Sequence, residues 1–226
     1  NVNGMLLFNR SKQSVYNGDR ASVDIRYQGV TGQFAYNYDE RFFTEFNFGY
    51  NGSENFAPGK RFGFFPAGAI GWILSKEKFL NDVEWLDFLK IRASAGIVGN
   101  DKFGGERFLY LPLYGGGDGY SFGDQNFGSN LGGGREGRLA NADISWEKSR
   151  KINFGLDLGL LNNKLNISID AFEDYRFDII TELGGEQLGF PDIVGKPSPP
   201  LNIGKVQNRG IWAILEMISI FTSVQI

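Results

Sequence analysis

Neither cysteine nor histidine occurs anywhere in the 226 residues. Those absences remove the Ser-His-Asp triad, the cysteine nucleophile, zinc sites built on thiolate or imidazole, and every disulfide. Bond chemistry would rest on carboxylates, Lys, Tyr or Ser alone, so the sequence points away from an enzyme and calls for no cofactor. No run of 18 apolar residues exists, which excludes an ordinary membrane-crossing helix. Positive charge is not in excess either. With 23 basic and 26 acidic residues the formal charge is −3, and nucleic acid is not an expected partner. The chain opens Asn1-Val2-Asn3-Gly4 with no initiator Met and no signal peptide, and is read as a piece of a longer protein.

What is present is glycine, 32 residues, and phenylalanine, 21 residues, arranged with a period of two. Val30, Phe34, Tyr36 and Tyr38 alternate with Thr31, Gln33, Ala35 and Asn37. After Asp39-Glu40-Arg41, Phe42, Thr44, Phe46, Phe48 and Tyr50 alternate with Phe43, Glu45, Asn47 and Gly49. Two such runs joined by three polar residues read as an antiparallel hairpin. The pattern returns at 152–160 and 165–171 around Asn162-Asn163, a pair that tolerates positive φ. Further strands are expected at 63–74 and 88–98 and another at 20–28, with a short helix near 76–87. The expected fold is all-β, an antiparallel up-and-down meander.

A strand with one apolar and one polar face fits a soluble sandwich, where the apolar side packs on a second sheet. It equally fits an outer-membrane barrel, where that side meets lipid and the polar side lines the lumen. Period alone does not separate the two. Connection lengths bear on it: 51–62, 99–143 and 181–205 fall at one end of the sheet, and 39–41, 75–87 and 162–163 at the other. Long loops at one rim and short turns at the other match outer-membrane barrels, although 75–87 is long for a short-turn rim. The polar face, with Glu45, Asn47, Asn153, Asp157 and Asp170 beside Gly49, Gly155 and Gly159, suits an aqueous interior.

Residues 51–101 carry a more specific signal. Asn51-Gly52-Ser53-Glu54-Asn55-Phe56 leads to Lys60-Arg61-Phe62-Gly63-Phe64-Phe65-Pro66 and Gly71-Trp72. Trp85-Leu86-Asp87-Phe88-Leu89-Lys90-Ile91-Arg92 and Gly96-Ile97-Val98-Gly99-Asn100-Asp101 follow. These words resemble the barrel of SusC/RagA-type TonB-dependent outer-membrane transporters. Leu139-Ala140-Asn141-Ala142-Asp143-Ile144-Ser145-Trp146-Glu147 is similar to that family's strand-opening segment, with Ala142 where Pro is usual. The resemblance implies part of the C-terminal half of a large transmembrane β-barrel, located in the cell outer membrane. It also implies a plug domain absent from these residues, energy from the TonB complex through that plug, a SusD-like surface lipoprotein partner, and a glycan or peptide ligand. Residues 1–210 are assigned to the partial barrel. Residues 211–226 form an atypical apolar tail, because Ile211-Trp212-Ala213-Ile214-Leu215 breaks the alternation that the family would continue; a truncated or frame-shifted end would account for it. The reading from a different class is a secreted all-β carbohydrate-binding or structural domain.

Several motifs have weaker claims. Gly132, Gly134 and Gly137 satisfy G-x-G-x-x-G, yet no helix is expected after them, so no phosphate role follows. Asp118 and Asp124 stand among glycines without a calcium-repeat period. Asp170, Glu173 and Asp174 are clustered carboxylates, with 170 and 174 expected on one strand face and 173 on the other. Tyr36, Tyr38, Tyr50 and Trp72 stand near strand ends, where barrels carry aromatic girdles. The loop 99–143 holds Tyr110, Tyr114, Tyr120, Phe122 and Phe127. Of these, Tyr110, Tyr114, Tyr120 and Phe122 are the candidate ligand contacts, since aromatic faces stack on flat ligands and long loops are commonly functional.

Overall fold

The computed structural model describes all residues except 15, 18–19, 22–23, 81–82, 104–106, 124–128, 182–194, 197 and 218–226. Phe127 and Asp124 lie outside the described residues. Eight long strands form one antiparallel sheet: β1 (Val2–Gln13), β4 (Ile25–Tyr38), β5 (Phe42–Ser53), β6 (Phe62–Ile73), β7 (Leu86–Asn100), β10 (Glu147–Leu160), β11 (Leu165–Thr181) and β12 (Leu201–Met217). Each neighbour in the sheet is the next long strand in the chain, which is an up-and-down meander. Two small hairpins stand outside it, β2 (Tyr16–Asn17) with β3 (Arg20–Ala21), and β8 (Tyr114–Phe122) with β9 (Ser129–Glu136).

Register keeps the two faces chemically distinct across the sheet. One row runs Phe34, Phe46, Gly68, Ala95 and Ile152. The next runs Ala35, Glu45, Ala69, Ser94 and Asn153. Among the described residues no second layer covers the apolar face. Phe46 is 47% exposed, Ile70 61% and Phe154 61%. On that face the Phe48 ring lies over Gly32, where a Cβ would come within 2.3 Å of it; only glycine leaves room for the ring.

The short-turn end is closed by local backbone chemistry. Asp39 and Glu40 adopt positive φ, and the Glu40 N–H donates to Asn37 Oδ1 at 3.0 Å, fixing a tight hairpin between β4 and β5. Leu161, Asn162 and Asn163 are all left-handed between β10 and β11, as the Asn pair leads one to expect. Buried hydrophobic side chains gather instead at the long-loop end: Phe56, Phe65, Leu109, Ile144 and Trp146. There β6 and β7 part company, their pairing ending at Ala67 and Gly96. Pro66, which has no N–H to give a ladder, stands at that point.

Five features differ from the sequence expectations. Strand β1 pairs with β4 over its whole length, although its residues do not alternate cleanly: Met5, Leu6, Leu7 and Phe8 are all exposed. Residues 25–28 belong to β4 rather than to a separate strand at 20–28. The expected helix near 76–87 is instead a chain of three-residue turns, with N–H groups of Glu77, Leu80, Val83 and Leu86 donating to Leu74, Glu77, Leu80 and Val83. Twelve residues spanning two adjacent strands are too short and too constrained at both ends to sustain α-helix nucleation. The loop 99–143 contains the β8–β9 hairpin. Finally, β12 continues as strand through Ile211–Met217. Alternation fails there because Trp212 and Ile214 fall on the otherwise polar face while Ile211, Ala213, Leu215 and Met217 continue the apolar one.

Candidate functional site

Two places gather functional side chains: the polar face and the long-loop rim. On the polar face Arg92 extends from β7 across β10 to reach β11. Its Nη2 donates to Asp170 Oδ2 at 2.6 Å, and its Nε donates to Asp157 Oδ2 at 3.1 Å. Ser168 Oγ completes the group by donating to Asp157 Oδ1 at 2.6 Å. Gly155 makes the crossing possible, because a Cβ there would lie 2.5 Å from Arg92 Nε. Asp170 is fully buried, and one of its oxygens has no partner among the described residues. On each strand these residues fall on the polar side of that strand's own alternation, which is the signal that could have joined them before the fold was known. Their carboxylates are committed to Arg92, so the cluster is an ion-pair lock across three strands. Asp170 and Asp174 do share a face, with Glu173 on the other, where it pairs with Arg150 at 3.0 Å.

The rim is built on the aromatic core. Phe56 packs on Trp146 and Phe103, and Phe65 meets Trp146 edge-on at 5.1 Å. Polar ties cross between loops. Trp146 Nε1 donates to the Arg61 carbonyl at 3.1 Å, Asn141 Nδ2 to the Pro200 carbonyl at 2.8 Å, and Asn202 Nδ2 to the Ser145 carbonyl at 2.9 Å. Lys60 Nζ donates to Asp143 Oδ1 at 2.6 Å, and that bond, reinforced by the charge of Lys60, holds the Asp143 carboxyl below its ordinary range. At the opposite rim Lys76 does the same to Glu40.

The four candidate aromatics do not converge. Tyr110 lies in the turn after Phe108, against that ring, next to the buried Leu109. Tyr120 and Phe122 stand together on β8 with ring centroids 4.7 Å apart. Tyr114 is at the far end of the same strand, about 20 Å away along it. Tyr114, Tyr120 and Phe122 are exposed, Tyr114 at 71%. The hairpin that carries them is tied down by the Gly137 N–H to the Leu113 carbonyl at 2.7 Å and by a Lys196–Glu136 ion pair. Gly132 and Gly134 are strand residues of β9, so the geometry needed for a phosphate loop is absent.

A single sheet with a bare apolar face, a polar face laced with charge, and elaborated loops at one rim is wall from a transmembrane β-barrel. No family model matches the chain. It is 29% identical, over 92% of its length, to TonB-dependent receptor P39 of Formosa agariphila, and covers 18% of that protein. It is 35% identical, over 67% of its length, to TonB-dependent receptor SusC of Bacteroides thetaiotaomicron, of which it covers 15%. The chain thus spans less than a fifth of these relatives. In three dimensions 90% of it superposes on 21% of the RagAB peptide importer in its closed-closed state, with a TM-score of 0.74 at 23% identity. The chain belongs to the SusC/RagA-type TonB-dependent receptors, as a segment of their β-barrel.

Proposed function

We propose that this chain is part of the wall of an outer-membrane transporter that imports a large nutrient ligand through a plugged barrel, without bond chemistry. The observation that carries this reading is the uncovered apolar face. On β5 its aromatic limits, Phe42 and Tyr50, are about 26 Å apart along the strand and about 20 Å along a membrane normal at ordinary barrel tilt. Phe42 stacks on Trp72 at one limit and Tyr50 on Phe62 at the other, as interfacial girdles require. The eight long strands within residues 1–210, with the continuation of β12, lie in one sheet, which supports assigning them to one barrel. The secreted sandwich, the competing reading, would need a second sheet over the Phe/Leu/Ile side; among the described residues none covers it.

In this reading the TonB complex acts through a plug carried elsewhere in the protein, and a SusD-like lipoprotein closes the long-loop rim. The ligand is a glycan or peptide, and Tyr110, Tyr114, Tyr120 and Phe122 are its candidate contacts. The exposed Tyr120–Phe122 pair is the best placed of these. The test is the solution behaviour of the full-length receptor. It should require detergent to remain monodisperse, and a monomer stable in plain buffer would overturn the reading. For the ligand contacts, Tyr114→Ala with Tyr120→Ala in that receptor should weaken substrate binding severalfold, and unchanged affinity would remove them from the site.

A further inference from the structure

The apolar face ends in positive charge at the long-loop rim. On β1 the face-sharing series Leu6 and Phe8 is followed by Arg10 and Lys12, and on β4 Val30 gives way to Gln28 and Arg26. Arg10, Lys12 and Arg26, joined by Arg61, line a cavity of about 440 Å³ whose floor includes Phe62. Phe62 belongs to the stacked Tyr50–Phe62 pair that limits the apolar band. Four cations face two acids. Asp24 binds Lys12 at 3.0 Å and Arg26 at 3.4 Å, and Glu54 lies 3.7 Å from Arg26. Arg61 is held in place by its Nε bond to the Phe56 carbonyl at 3.2 Å. Among the described residues the niche therefore carries a surplus of two positive charges. Directly below it along β1 are exposed Phe8 and Leu6, at 65% and 73%.

We propose that this niche binds the phosphorylated headgroup of an outer-leaflet lipid, whose acyl chains lie on Phe8, Leu6 and Phe34. The combination identifies an amphiphile rather than a free phosphate: cations at the interface recognise the anionic head, and apolar surface continuous with them takes the tail.

This inference rests on the membrane reading, and its test separates the two. Full-length receptor in a neutral detergent is titrated with bisphosphorylated lipid A and, separately, with the dephosphorylated lipid. The phosphorylated form should bind at least about tenfold more tightly, an advantage that salt reduces. The Arg10→Gln/Arg26→Gln double variant should lose most of that preference, while Lys76→Gln at the opposite rim keeps it. Heat-modifiable migration of the folded barrel confirms that each variant is intact. Equal binding of the two lipids, or an unchanged preference in an intact double variant, overturns the niche while leaving the detergent-dependent barrel standing. A receptor that needs no detergent overturns both.

Discussion

Arg92 reaches its second carboxylate only because residue 155 has no side chain. Gly155→Val would place methyl groups where the guanidinium now passes, and forcing Arg92 aside should cost about 2 kcal/mol. Arg92→Met leaves Asp170 buried without its cation, a loss of about 2–3 kcal/mol after allowance for the partial exposure of the arginine. Both effects are measurable as shifts in urea unfolding of the full-length barrel in micelles, and a double variant should cost less than the sum because both changes break one network. Asp143 supplies the pH-dependent counterpart. Its carboxyl is held below its ordinary range in the folded rim, so the Lys60 tie is fully present above about pH 4 and is lost as pH falls through the lowered value. Protection of the 141–144 amides relative to their intrinsic exchange rates should therefore fall on acidification, and Asp143→Asn should remove that loss of protection.

At the scale of strands, alternation in the sequence translated directly into faces. Phe34, Phe46 and Phe154 are apolar by composition and exposed by structure, while Glu45, Asp157 and Asp170 share the other side. Phe46→Arg should then cost about 2–4 kcal/mol near the bilayer midplane, whereas Asn47→Arg, one residue along and facing the other way, should change stability little. Unfolding of the two variants in lipid bilayers distinguishes these outcomes; equal costs would contradict the face assignment. Where local pattern failed, neighbours had overridden it. Residues 76–87 look helical in isolation, but they must join β6 to β7 at a fixed separation. Ile211–Met217 shows no period because both its faces are apolar, yet pairing with β11 from Leu165 through Ala171 holds it extended.

For the molecule as a whole the decisive feature is the pair of free edges. Strands β1 and β12 stand at opposite ends of the sheet order, each with one row of N–H and C=O groups lacking a strand partner among the described residues. Lipid offers no hydrogen bonds to satisfy such rows. The 226-residue chain expressed by itself should therefore aggregate or remain unfolded in detergent. A sharp, reversible thermal transition from a monodisperse sample would contradict this. Under the proposed reading further strands of the full-length receptor would cover those edges, and the lock of Arg92, Asp157 and Asp170 would contribute to one segment of a wall that is stable only when closed.

By itself the sequence determined the placement of β5, β6, β7, β10 and β11 and most of β4, the division into an apolar and a polar face, and the rim that carries the long loops, because each is written in residue spacing that a pleated backbone converts mechanically. It also carried the words of the family at 51–101 and 139–147. Only the tertiary structure decided that no second layer among the described residues covers the apolar side, that Arg92 crosses Gly155 to Asp170, and that the candidate aromatics separate into Tyr110 against the Phe108 ring and an exposed hairpin. Those outcomes depend on contacts between residues up to 78 positions apart, and no local period encodes a distance of that kind.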